Sequence, residues 1–119
     1  MKKFLATQTG QKLAYSFTKG TGPTVIFLGG FKSDMEGSKA IFLEKWAKKR
    51  NRSFLRFDYS GHGQSSGDFH NLGIGDWFND AKQIIELKVQ NGIILIGSSM
   101  GGWISLLLSR ELGTRLKGL

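Results

Sequence analysis

The chain has no cysteine, one proline and two histidines, His62 and His70, among its 119 residues. The missing cysteine excludes disulfides, thiolate nucleophiles and thiolate zinc sites. No apolar run is long enough to span a membrane. Met1–Ala6 has the basic-then-apolar look of a secretory leader, but the polar Thr7-Gln8-Thr9-Gly10 ends the run too early for one. Nothing points to an oxidising compartment, so a cytoplasmic protein is expected. One more lack matters later. After residue 99 there is no histidine and no aspartate, and Glu111 is the only acid.

What is present suits a single domain, residues 1–119, with one core. Hydrophobic residues make up 39% of the chain, a globular rather than a disordered composition. The 17 glycines gather at the junctions between apolar runs, where tight turns need them. The net charge of +8 is uneven: residues 1–56 carry +9 and residues 57–119 carry −1. A basic half can mark nucleic-acid binding. Here Lys45, Lys48, Lys49, Arg50 and Arg52 cluster toward the end of a predicted helix, where cations favour the dipole, and no nucleic-acid motif accompanies them. No nucleic-acid partner is expected.

Phe4–Thr9 and Lys12–Thr18 alternate polar and apolar residues around Gly10-Gln11 and predict an antiparallel hairpin. Gly20-Thr21-Gly22-Pro23 reads as a loop. Thr24–Leu28 is short, apolar and β-branched, as a strand buried on both faces should be. Ser33-Asp34-Met35-Glu36 has the form of a capping box and predicts a helix from there to about Lys49, with Ala40, Leu43, Trp46 and Ala47 inward. Ser53–Phe57 predicts the next strand. Ile74, Trp77, Phe78, Ala81, Ile84 and Ile85 recur at helical spacing. Ile93–Ile96 predicts another buried strand, and Met100 to about Leu112 a helix stopped by Gly113. The order β-β-β-α-β-α-β-α indicates a mostly parallel α/β sheet. Leu116–Leu119 reads as the start of a strand that is not made. This leaves Ile93–Ile96 an apolar open edge and predicts the front part of a larger domain.

Gly97-Ser98-Ser99-Met100-Gly101 reads G-x-S-x-G. After a buried strand and at the opening of a helix, this pattern reads as a nucleophile elbow, the alternative being a glycine-rich strand–helix turn with structural serines. Ser99 is the candidate nucleophile. The Met100 N–H is one candidate oxyanion donor, and the Phe31 N–H, in the loop after the third strand, is the second. Phosphate-loop and dinucleotide readings fail on spacing: Gly37-Ser38-Lys39 lacks the required partner glycine, and Gly61-x-Gly63-x-x-x-Gly67 is one residue out.

The stretches "VIFLGGFKSDMEGSKA", "LRFDYSGHGQSSGDF" and "GIILIGSSMGGW" resemble the N-terminal portion of an α/β-hydrolase. They are similar to short bacterial hydrolases of the acyl-protein thioesterase and acyl-glucuronide esterase group. The resemblance implies an antiparallel hairpin leading into a mostly parallel sheet flanked by helices, with the lid and C-terminal strands absent. It implies Ser99 as nucleophile, Phe31 and Met100 as oxyanion donors, and a loop-ordering role for Asp58 and His62. No cofactor and no metal are expected. The implied substrate is a small-molecule or acyl-protein ester or thioester, with Phe31, Met35 and Met100 as candidate contacts for the acyl chain and Trp103 assigned to core packing. The triad order Ser, Asp or Glu, His is not completed, because Glu111 lies on the helix that Ser99 opens. His70, with Asp68 and Asp76 near it in sequence, is read as a solvated loop residue rather than a substitute base.

Three readings follow. The first is a serine hydrolase inactive on its own for want of a base. The second is a non-catalytic half-domain that pairs with a complementary C-terminal chain or with itself through the open edge. The third is a gene fragment without a stable fold.

Overall fold

The computed structural model describes residues 2–119; Met1, the first residue of the leader-like opening, lies outside them. The strands are β1 (Lys3–Ala6), β2 (Lys12–Thr18), β3 (Thr21–Leu28), β4 (Arg52–Phe57), β5 (Ile93–Gly97) and β6 (Leu116–Gly118). The helices are α1 (Ser38–Lys49), α2 (Ile74–Lys88) and α3 (Met100–Leu112). The strands form one sheet in the order β1-β2-β4-β3-β5-β6. The β1–β2 and β2–β4 pairings are antiparallel. The β3–β4, β3–β5 and β5–β6 pairings are parallel. The predicted hairpin and mostly parallel sheet are therefore both present.

Alternation along the strands sorts the core. On one face Ile26, Leu28, Leu55, Ile93 and Leu95 pack with Trp77, Ile84 and Ile85 of α2 and with Ile104 and Leu108 of α3. On the other, Val25, Phe27 and Phe54 pack with Ala40 and Ala47 of α1, and Leu43 and Trp46 fill in beside them. So α1 leaves β3 over one face, while α3 leaves the neighbouring β5 over the other. The crevice between their carboxyl ends is a topological switch point, the usual place for a site in such a sheet.

Three expectations need correction. Residues 33–36 do not start α1, which begins at Ser38 with Gly37 as its N-cap. Local bonds claim the segment first: the Asp34 carboxylate accepts from Glu36 N–H at 2.9 Å, and Arg56 draws Glu36 into an ion pair at 3.1 Å. The stretch from Thr21 already belongs to β3, with a register shift between Thr21 and Val25 that absorbs Gly22 at φ +74° and Pro23. Leu116–Gly118 does pair, placing Leu116 against Ile93 and Gly118 against Ile94. The edge of β5 is thus covered over its first half and open from Leu95 onward among the described residues.

Glu44 stands among the inward positions of α1, and the hydrophobic pattern does not reveal it. It is buried beside the buried Arg56, which donates to it from Nε at 2.9 Å. Burial alone would raise the Glu44 carboxyl, but the Arg56 hydrogen bond and charge outweigh it and the net shift is downward. A lowered carboxyl stabilises the fold above its ordinary value of 4.5 and loses that contribution as pH falls through the folded value. Glu44→Gln should cost about 2 kcal/mol at neutral pH, the scale of a hydrogen bond to a charged group. It should also flatten the fall in melting temperature in acid. Thermal melts of both proteins from pH 7 to pH 3 check this, and parallel acid slopes would contradict it.

Candidate active site

β5 ends against backbone. The Ser98 N–H donates to Leu28 O at 3.0 Å, which ties the elbow to the end of β3. Ser99 then turns with φ 56° and ψ −117°, a conformation that L-residues avoid and that costs about 1–3 kcal/mol. Packing enforces it. A Cβ on Gly97 would lie 2.4 Å from Gly101 O, and one on Gly101 would lie 1.9 Å from Leu28 O. The two glycines of the motif are therefore where strand and helix backbones touch. Gly101 and Gly102 N–H groups donate to Ser98 and Ser99 carbonyls at 2.9 Å and begin α3.

Ser99 is exposed, and its hydroxyl hydrogen-bonds to no described residue. The loop after β3 rides over it, with the Gly30 Cβ position only 3.6 Å from Ser99 Cβ. A cavity of about 390 Å³ opens there, lined by Phe31, Ser33, Asp34, Lys39, Ser98 and Ser99 among others. Among the described residues, the amides of Phe31 and Met100 donate to no protein acceptor. The three candidate residues are thus brought to one edge of the sheet: Ser99 and Phe31 on the cavity wall, Met100 as the first residue of α3.

His62 is buried, and its ring is not hydrogen-bonded to Ser99. Its Nδ1 lies 3.1 Å from Ser60 O, and its Nε2 accepts from Lys32 N–H at 3.1 Å. Asp58 is also buried, accepting from Met35 N–H at 2.7 Å and from Gln64 N–H at 3.0 Å. Gly63 leaves room for that carboxylate, since a Cβ there would sit 2.2 Å from Asp58 Oδ2. Both residues order loops, as the motif implies. Burial raises the Asp58 carboxyl above the ordinary aspartate value, and the two amides offset this only in part. Burial likewise raises Asp80, whose carboxylate accepts from the N–H and hydroxyl of Ser60 at 2.8 and 2.6 Å. Carboxyls raised this way oppose folding when ionised and stop doing so as pH falls through their folded values, the reverse of Glu44.

His70 sits exposed in a 3₁₀ turn, Phe69–Asn71, and makes no hydrogen bond to Ser99. Among the described residues, no group of three or more His, Cys, Asp or Glu could hold a metal. Of the candidate acyl contacts, Phe31 is 55% exposed on the cavity, with its ring edge-on to Phe69 at 5.1 Å. Met35 is ruled out by burial at 2% exposure. The Met100 side chain packs against the core. Trp103, assigned above to core packing, is instead 57% exposed on α3.

Four residues of the site region were not found from sequence. Tyr59 OH donates to Gly29 O at 3.0 Å, and Arg56 Nη1 donates to Met35 O at 2.9 Å. Lys32 takes φ 60° in the loop over Ser99. Lys39 Nζ donates to Ser98 Oγ at 2.9 Å, bringing a cation to the elbow. All four lie within the quoted stretches, Lys32 and Lys39 in "VIFLGGFKSDMEGSKA" and Arg56 and Tyr59 in "LRFDYSGHGQSSGDF", but nothing local singles out their roles.

A serine at a strained strand–helix turn, on the carboxyl edge of a mostly parallel sheet, defines the chain as an α/β-hydrolase fold. No helix of it is long and apolar enough to cross a membrane among the described residues. The chain belongs to the Hydrolase_4 family, described as serine aminopeptidase, S33, which it matches over residues 21–119. It is 40% identical over 103 residues to the mitochondrial palmitoyl-protein thioesterase ABHD10 of Rattus norvegicus, covering 87% of this chain and 35% of that protein. Its structure matches mouse alpha/beta hydrolase domain-containing protein 10 with a TM-score of 0.95 at 35% identity, over 98% of this chain and 46% of that one. Est1E from Butyrivibrio proteoclasticus, solved with ferulic acid bound, shares the fold at a TM-score of 0.87 and 21% identity, over 97% of this chain and 49% of that one. The chain spans about a third of the length of the curated relatives it matches.

Proposed function

We propose that this chain carries the nucleophile and oxyanion hole of a serine hydrolase acting on acyl esters or thioesters. The observation that supports this best is the strained Ser99 turn, φ 56° and ψ −117°, which leaves the residue exposed on the cavity wall at the opening of α3. Ser99 Oγ attacks the acyl carbonyl, whose developing oxyanion accepts from Phe31 and Met100 N–H. The alcohol or thiol leaves, and water then releases the acid from the acyl-serine. The thioesterase name of the rat relative favours an acyl-protein thioester as one substrate class. The proton of Ser99 needs a base, and no described side chain bonds to it. A histidine from outside these residues, on a complementary segment or chain, is the natural source. The half-covered edge of β5 gives such a chain a place to pair, which is also what supports the alternative of a non-catalytic pairing module.

Incubation with p-nitrophenyl butyrate, followed by acid quench and peptide mapping, is the test. One butyryl group is expected on Ser99 and none in Ser99→Ala. Butyrylation spread over lysines, equal in both proteins, would count against the nucleophile and favour the pairing reading.

A further inference from the structure

The unpartnered Phe31 N–H belongs to the Gly30–Phe31 peptide. The carbonyl of that peptide, Gly30 O, accepts from Ser33 N–H at 3.1 Å. The peptide before it is held by Tyr59 OH on Gly29 O at 3.0 Å, and the peptide after it by His62 Nε2 on Lys32 N–H at 3.1 Å. The donor peptide therefore sits between two side-chain clamps, one of which grips the left-handed Lys32 at φ 60°. Ser60 O can only accept and Lys32 N–H can only donate. These partners assign the ring as neutral, with its proton on Nδ1 and its lone pair on Nε2. Ser60 O also accepts from Trp77 Nε1 at 3.0 Å, and the Ser60 N–H is held by Asp80, so the ring stands on a fixed support.

Resting on the hydrolase reading above, we propose that His62 is the positioning residue of the oxyanion hole. Its Nε2 lone pair holds the Lys32 peptide and so aims the Phe31 N–H at the cavity beside Ser99. It does not exchange protons with Ser99. A histidine filling space would be replaced well by phenylalanine. A histidine serving as acceptor would be replaced better by glutamine, whose Oε1 reaches the place of Nε2.

Two readouts test this. In ¹⁵N-labelled wild-type protein, a scalar coupling across the hydrogen bond should link Lys32 N to His62 Nε2, and the ring should be the Nδ1–H tautomer. The rate at which an aryl phosphonate modifies Ser99, with imidazole added as base, should then fall about tenfold in His62→Phe. That is less than the 10²–10³ seen when an oxyanion donor is removed, because the donor is displaced rather than lost. His62→Gln should stay within about threefold of wild type. Equal rates in the two variants would overturn the proposal. So would a missing coupling in the wild type, which is read without any variant having to fold. A wild type that shows the coupling but is never modified at Ser99 would instead overturn the nucleophile reading, and the proposal with it.

Discussion

Alanine at position 101 is expected to abolish the cooperative thermal transition of this chain. Its Cβ would be 1.9 Å from Leu28 O, 2.5 Å from Leu28 C and 2.8 Å from Gly29 O. All three are backbone atoms at the end of β3, the strand paired on both sides, to β4 and to β5. No rotamer change relieves that clash. Either α3 lifts off the sheet, exposing Ile104 and Leu108, or β3 shifts and breaks its ladder. Ordinary overpacking costs about 1–3 kcal/mol with side chains giving way. Against fixed backbone the cost should exceed about 4 kcal/mol, most of the stability of a small domain. Gly102 is the control. A Cβ there meets only Gly97 O at 3.8 Å, an ordinary contact, and alanine is the better helix former. Circular-dichroism melts of Gly101→Ala and Gly102→Ala should therefore diverge sharply. Two similar transitions would show that the β3–α3 contact is not as tight as described.

A diffusible base is expected to raise the rate of Ser99 acylation at least tenfold. A positioned general base contributes about 10²–10⁴, and free imidazole supplies part of this without the benefit of placement. The rate should rise in proportion to the neutral imidazole present, and Ser99→Ala should show none of the rise on that residue. His70→Ala should leave the rate unchanged, because the ring makes no hydrogen bond to Ser99. The check is the initial rate of acyl-Ser99 formation by intact mass, with the background reaction of imidazole and ester subtracted. A rate independent of imidazole would mean that Ser99 already has a base. A loss in His70→Ala would identify it.

The elements that position Ser99 were legible because their signals are local. β5 is a run of apolar residues, α2 repeats its inner face from Trp77 to Ile85, and Gly97 and Gly101 bracket a serine. The start of α1 was misread because Ser33 and Glu36 satisfy a pattern whose bonds other residues claim: Asp34 nearby and Arg56 from another strand. Glu44 carried no signal of burial because its partner Arg56 is twelve residues away, on β4. The pairing of Leu116–Gly118 depends on neighbours that three residues do not announce. Phe31 and Met100 follow as candidates from motif and helix logic. The clamps on the Phe31 peptide do not, because each joins a side chain after β4 to a backbone atom after β3, some thirty residues earlier.

The most direct test of the account is the crystal structure of the chain with an aryl phosphonate bound covalently to Ser99. One phosphonyl oxygen should lie within hydrogen-bond distance, about 2.7–3.1 Å, of both Phe31 N and Met100 N, with the Lys32–His62 bond intact. An oxygen turned to solvent, with either amide bonded elsewhere, would contradict it.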